Sequence, residues 1–287
     1  MSASQNERPV QSRRSFIFSP GTDPSMFPKA LASGADIVCV ELEDGVAPHH
    51  KEQARANMLA IFAQPQDDDG VERIVRINML GSPEGEADLA AVLDSATPPP
   101  ALMLPKVNGP DDVHRVADAL DAAGHPTRLQ VIIETNPGLE AAWEIAQASA
   151  RVDSLLFGGV DLAADLRCAY GWEPLLYARS RVVHAAAGAG IDAIDVPWLD
   201  LGDPEGMRRE AEASAKLGFT GKGAIHPRQI ADLNAIFSPS AEEVAYAEKV
   251  VAAFAAADTG LVVVDGKLIE KPVLRTMERI LAKAGRA

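Results

Sequence analysis

Eight short apolar runs recur along the chain, at 15–18, 36–42, 73–78, 101–104, 129–134, 154–157, 191–196 and 222–226. Between them lie longer stretches rich in Ala, Leu, Glu and Arg with helical spacing of apolar residues: 25–33, 50–62, 86–94, 111–120, 139–148, 175–186 and 206–217. Strands that alternate with helices pair in parallel, because each helix has to carry the chain back across the sheet. Such strands are covered on both faces, so they read as near-continuous Val, Ile and Leu rather than as an alternation. Eight units argue for an α/β fold of the closed (β/α)8 TIM-barrel type, with an open doubly wound sheet as the alternative. No G-x-G-x-x-G follows the first run, whose turn is a plain SPGT at 19–22, so a dinucleotide fold has no positive support.

A barrel of this kind takes about 250 residues, and the 287 residues here, 47% of them hydrophobic, supply one with some to spare. The expected division is a catalytic barrel at 13–237 and a C-terminal extension at 238–287. The extension begins with SPSA at 238–241, a helix start with Glu242 and Glu243 in the first turn. A hairpin turning at Asp265-Gly266 follows, then a helix over 273–284 with Pro272 at its first position. The polar segments 67–70 and 97–100 are expected as loops on the face away from the chemistry.

Charge and cysteine usage narrow the function. A formal charge of -14 repels phosphate backbones over most of the surface, which argues against nucleic-acid binding. The two cysteines, Cys39 in an apolar run and Cys168 in an expected helix, suggest neither a disulfide framework nor a metal knuckle and fit a reducing cytoplasm. The first ten residues have no apolar core of a signal peptide, and no run of 18 apolar residues occurs, so neither secretion nor membrane spanning is expected.

Active sites of such barrels lie where the strands stop. Two runs meet an acid there, Glu134 after 129–133 and Asp161 shortly after 154–157. These two are expected to share a divalent metal, the competing reading being that each caps a helix or pairs with a base. Arg76 stands inside the apolar segment 75–78, where an unpaired charge would cost several kcal/mol. It therefore needs a partner, either an anionic ligand or a buried pair with Glu43 or Asp44. His226, flanked by Ile225 and Pro227, fits a loop-fixing role better than that of a general base.

The chain resembles the HpcH/HpaI aldolase superfamily, and within it the branch of citrate lyase beta subunit, malyl-CoA lyase and citramalyl-CoA lyase. The matching segments are RSFIFSPG at 14–21, ELEDGV at 41–46 with KEQAR at 51–55, VRIN at 75–78, MLPK at 103–106, and IET at 133–135. They continue with FGGVDL at 157–162, AID at 193–195, IHP at 225–227 and VDGKLIEK at 264–271. The resemblance implies Mg²⁺ held by Glu134 and Asp161, with a 2-oxo acid gripped by Arg76. Gly159, Val160, Lys106 and Arg14 are further expected substrate contacts, and Arg13, Arg14 and Lys29 are candidates to receive CoA. Arg76, Glu43 and Glu270 are the expected catalytic residues. Two departures stand out: Glu41 and Glu270 occupy positions where related sequences carry Asp. The longer carboxylate at 270 would shift an oxygen by about 1 Å, enough to cost on the order of 100-fold in rate if the site is not rebuilt around it.

The implied activity is reversible, Mg²⁺-dependent cleavage of a 2-hydroxyacyl-CoA thioester such as malyl-CoA or citramalyl-CoA into acetyl-CoA and a 2-oxo acid. A malyl-CoA thioesterase and a citrate lyase beta subunit acting on an acyl-carrier-protein thioester are the alternatives. The resemblance also implies a homo-oligomer, a trimer or hexamer, with the extension laid over a neighbour's site.

Overall fold

The computed structural model describes residues 11–257 and 260–285. Eight parallel strands close into a barrel in sequence order, each pairing with the next and β8 with β1. They are β1 (Ser15–Pro20), β2 (Ile37–Glu41), β3 (Glu72–Arg76), β4 (Ala101–Leu104), β5 (Arg128–Ile133), β6 (Val152–Phe157), β7 (Asp192–Asp195) and β8 (Gly221–Ala224). All eight expected runs are strands, with ends displaced by up to two residues.

The crossovers are α1 (Met26–Leu31), α2 (Lys51–Phe62), α3 (Pro83–Leu93), α4 (Pro110–Ala122), α5 (Asn136–Glu140), α6 (Ala142–Gln147), α7 (Gly159–Asp165), α8 (Trp172–Ala189), α9 (Pro204–Leu217) and α10 (Ile230–Ile236). Their starts follow from local chemistry. Ser82, Thr135 and Asp203 each accept the N–H three residues on, with Pro at the first or second helical position. The helix expected over 139–148 is two short ones instead, broken at Ala141 (φ -87°, ψ 10°). The segment holding Asp161 is also not a strand end. β6 stops at Phe157, and Gly158-Gly159 turns the chain into α7, which carries Asp161 in its first turn.

Alternate residues of the strands point into the barrel, where Phe16, Ile37, Ile74, Met103, Leu156 and Ile194 belong to one buried cluster. Beneath that layer the N-terminal end is closed by Arg13, which donates to Glu72 at 2.6 Å and to Asp192 at 2.8 Å. The opposite end, past the last strand residues, is left to the site.

Among the described residues, 11–12 and those from 235 onward form a second compact unit. Ser240 and Glu243 make a reciprocal capping box at the start of α11 (Ala241–Ala255). β9 (Leu261–Val264) and β10 (Lys267–Glu270) pair antiparallel, turning at Asp265 and Gly266 with φ of 50° and 74°, the signature of a primed hairpin turn. The terminal helix α12 (Lys271–Lys283) starts two residues earlier than expected and holds Pro272 in its first turn. Val264 and Ile269 are buried against Val250, whereas Leu261, Val263 and Leu268 are exposed at 50%, 67% and 55%. Register pairs Leu268 with Val263 and Glu270 with Leu261, so Glu270 shares the exposed apolar face. Among the described residues no helix is long and apolar enough to cross a membrane.

Candidate active site

At the C-terminal end of the strands a cavity of about 270 Å³ is lined by Arg76, Glu134, Asp161 and Asp44 among polar residues, and by Phe18, Met103 and Leu156 among apolar ones. Glu134 is the first residue after β5 and is only 4% exposed. Its Oε1 accepts the backbone N–H of Lys106 at 2.8 Å. Its other oxygen faces Gly158, where an added Cβ would sit 2.6 Å away. Glycine at 158 is thus a condition of this approach. Burial, reinforced by the charge of Asp161, pushes the Glu134 carboxyl up to about 7.

Arg76 is the last residue of β3 and lies directly across from Glu41, the last of β2. Its Nε donates to Glu41 at 2.6 Å, a second nitrogen lies 3.1 Å from Glu43, and its guanidinium stacks over the Phe18 ring at 4.4 Å. Burial works against its charge, but the two carboxylates more than offset this and hold its pKa above the ordinary value. Glu41 is raised by its own burial, with Arg76 limiting the rise. The remaining oxygen of Glu41 accepts the N–H of Glu43 at 2.7 Å, so one side chain fixes both the arginine and the following turn. Of the two alternatives expected from the sequence, Glu43 or Asp44, it is Glu43 that reaches Arg76, while Glu41, the nearer partner, is not among them. The register of β2 on β3 decides the choice, and a linear reading does not contain it.

Lys106 adopts the left-handed region at φ 53°. Its ammonium donates to Glu43 and, at 3.0 Å, to Asp44. Against a burial penalty, these two contacts raise its pKa. Glu43 therefore lies between two cations, and of this cluster Arg76 and Asp44 line the cavity while Glu43 and Lys106 do not.

Gly159 and Val160 open α7. Val160 lines the cavity, while Gly159 is buried against the Phe157 ring, which an added Cβ would approach to 2.8 Å. Arg14 is a correction. It precedes β1 and pairs with Asp36, which precedes β2, at 2.8 Å, so it stands at the N-terminal end of the barrel, away from Glu134 and Asp161. Arg13 is at that end as well and cannot receive a ligand at the mouth. Lys29, in the last turn of α1, is exposed and does not line the cavity. His226 accepts the N–H of Arg228 at 3.1 Å, caps a short turn, and so fixes a loop. Glu270 belongs to the second unit, where it ends β10 exposed.

A buried carboxylate, Glu134, held up near neutral pH, and an exposed one, Asp161, on the same cavity form a donor set that a hard divalent cation would relieve. No group of three or more His, Cys, Asp or Glu positioned for a metal occurs among the described residues, so further ligands there would be water or substrate oxygens.

A strand-end constellation of this kind on a closed eight-stranded barrel defines an enzyme, and the relatives named below are carbon–carbon lyases. A family model described as HpcH/HpaI aldolase/citrate lyase matches residues 14–227, and the chain belongs to that family. It is 36% identical to citrate lyase subunit beta of Escherichia coli, over 99% of this chain and 97% of that one. It is 32% identical to the mitochondrial citramalyl-CoA lyase of Rattus norvegicus, over 95% and 86%, and 35% identical to L-malyl-CoA/beta-methylmalyl-CoA lyase of Rhodobacter capsulatus, over 98% and 97%. Among solved structures, CitE of Mycobacterium tuberculosis in complex with magnesium, acetoacetate and coenzyme A superposes with a TM-score of 0.79 at 32% identity, covering 94% of this chain and 97% of that one.

Proposed function

We propose that this chain reversibly cleaves a 2-hydroxyacyl-CoA thioester such as malyl-CoA or citramalyl-CoA into acetyl-CoA and a 2-oxo acid, with Mg²⁺ as cofactor. The observation that carries the reading is the meeting of Arg76, Glu134 and Asp161 on one cavity. Glu134 and Asp161 would hold the ion, which supplies Lewis acidity to the hydroxyl and carboxylate oxygens of the acid fragment. Relatives bound to magnesium with pyruvate or with oxaloacetate support that assignment.

Arg76 binds the acid fragment. With Nε and one terminal nitrogen tied to Glu41 and Glu43, its plane is fixed and its remaining donors can meet substrate oxygens. Cleavage removes the hydroxyl proton to a base and leaves the bonding pair on the thioester carbon as an enolate, which takes a proton to become acetyl-CoA. Glu43, set between Arg76 and Lys106, keeps both cations in place while the oxyanion forms. Glu270 is proposed to exchange the methyl proton after the second unit, 238–287, closes over the site of a neighbouring copy in a trimer or hexamer. The exposed face that Glu270 shares with Leu261, Val263 and Leu268 supports this, since such a surface needs a cover. Lys29 remains a candidate contact for CoA, and both cysteines are free, which fits the cytoplasm.

A thioesterase reading draws on Glu270 standing where related lyases carry Asp, and a carrier-protein-dependent one on the likeness to citrate lyase subunit beta. Incubating the purified chain with Mg²⁺ and malyl- or citramalyl-CoA separates the three. Release of acetyl-CoA with glyoxylate or pyruvate is expected; free CoA with the intact hydroxy acid would establish the thioesterase, and turnover only on a carrier protein the third reading.

A further inference from the structure

We infer that Arg179 is the positioning residue for Asp161, clamping the ends of β6 and β7 beneath the turn that carries it; this rests on the metal reading given above. Arg179 lies on α8 and is fully buried. Its Nε donates to Asp195, the last residue of β7, at 3.0 Å. Its guanidinium is sandwiched between two rings, 4.9 Å from Phe157, the last residue of β6, and 4.8 Å from Trp172. One side chain therefore holds two strand ends, by a charge-assisted hydrogen bond on one and a cation–π contact on the other.

Those two ends are what Gly159 rests on. A Cβ at 159 would come within 2.8 Å of the Phe157 ring and 3.3 Å of Val196, the residue after Asp195. Gly159 is so closely seated that a shift of either support displaces it, and Asp161 is two residues further along the same first turn of α7.

A purely structural ion pair would account for the burial less well. Asp195 already accepts from Lys222 at 2.7 Å and from Ser214, so it has a full cation without Arg179. Arg179 in turn leaves one buried nitrogen without a hydrogen bond, 3.7 Å from Glu210. An arrangement selected for stability alone would replace such a charge with an apolar side chain. The two ring contacts explain what the charge does there.

The test is Mn²⁺ titration of the full-length, metal-free protein, followed by electron paramagnetic resonance, which reads ion binding without turnover. Arg179→Met should weaken Mn²⁺ binding by about 10–100-fold, the range for residues that orient metal ligands. Phe157→Leu, which removes the ring but no charge, should do the same and carries the test if Arg179→Met does not fold. Val116→Ala, a core truncation on α4, should lower the melting temperature and leave Mn²⁺ affinity within twofold. Mn²⁺ affinity unchanged in Arg179→Met and Phe157→Leu would overturn the clamp alone. No Mn²⁺ binding by the unaltered protein would overturn the metal reading, and the clamp with it.

Discussion

The backbone N–H of Lys106 donates to Oε1 of Glu134 at 2.8 Å from a residue held at φ 53°. A non-glycine residue in that region costs on the order of 1 kcal/mol or more, and here the conformation aims a fixed dipole at a buried carboxylate. Lys106→Gly separates backbone from ammonium. It relieves the strain and keeps the N–H, but it takes the ammonium from Asp44 and leaves Glu43 with Arg76 alone. Activity is expected to fall about 10-fold or more with the melting temperature little changed, since preorganised charge rather than folding is lost. Unchanged kcat/KM in this variant would show the ammonium to be dispensable.

Glu134 gives the site a pH dependence whose sign can be worked out. Its folded pKa, about 7, lies above the ordinary value of 4.5, so the metal-free fold favours the protonated form. The stability tied to that proton is complete below about pH 4.5 and is lost as pH rises through about 7. Metal-free Glu134→Gln should therefore melt higher than the unaltered protein at pH 8, and the gap should close near pH 4.5. The upper limit of the effect is about 3 kcal/mol. Differential scanning calorimetry at the two pH values measures it, and equal melting temperatures at pH 8 would count against the assignment.

Activity should respond in the opposite sense. Mg²⁺ competes with that proton, so the Mg²⁺ concentration needed for half-maximal rate should rise as pH falls below about 7. Both Glu134→Gln and Asp161→Asn should lose Mg²⁺-dependent turnover by at least about 100-fold while circular dichroism stays unchanged. Turnover that survives in either variant would remove these carboxylates from the reaction.

Glu41 tests how Arg76 is held. Glu41→Gln removes the charge across from a buried guanidinium, and breaking such a pair costs about 3–5 kcal/mol. Glu41→Asp keeps the charge but draws it back by a methylene. The Gln variant should lose both stability and kcat/KM, whereas the Asp variant should keep the fold and show a raised KM for the acid fragment. Initial-rate kinetics with urea melts resolves the two, and identical behaviour of the variants would rule out the distinction.

Glu270 can be placed by complementation. Glu134→Gln and Glu270→Ala proteins should each be nearly inactive alone, and unfolding and refolding them together should restore part of the activity if one copy's extension serves another's barrel. A mixture as inactive as its parts would put Glu270 outside a shared site. Glu270→Asp is expected to raise lyase activity if the longer carboxylate is misplaced, and a fall would show a site adapted to Glu.

The barrel was legible because eight short, mostly apolar runs alternate with helical stretches, even where β5 holds Gln130 and β8 holds Lys222, and because acids past a strand end point to one face. That Asp161 lines the cavity with Glu134 was legible, but its local structure was not, since a seven-residue helix opened by glycine carries too little periodicity to announce itself. The pairing of Arg76 with Glu41 depends on register between strands 35 residues apart, which no local pattern encodes. The role of Arg179 is hidden for the same reason. The misplacement of Arg14 was avoidable: a residue just before a strand lies at the opposite end of a parallel barrel from a residue just after one.

Arg13, tied to Glu72 and Asp192, stops the barrel at its far end. The cavity is thus a vessel with one door. Whatever lies against Arg76 and Glu134 enters and leaves past the C-terminal ends of the strands. On the lyase reading proposed above, the expected order is the 2-oxo acid first and acetyl-CoA second in the condensing direction, with acetyl-CoA leaving before the acid in cleavage.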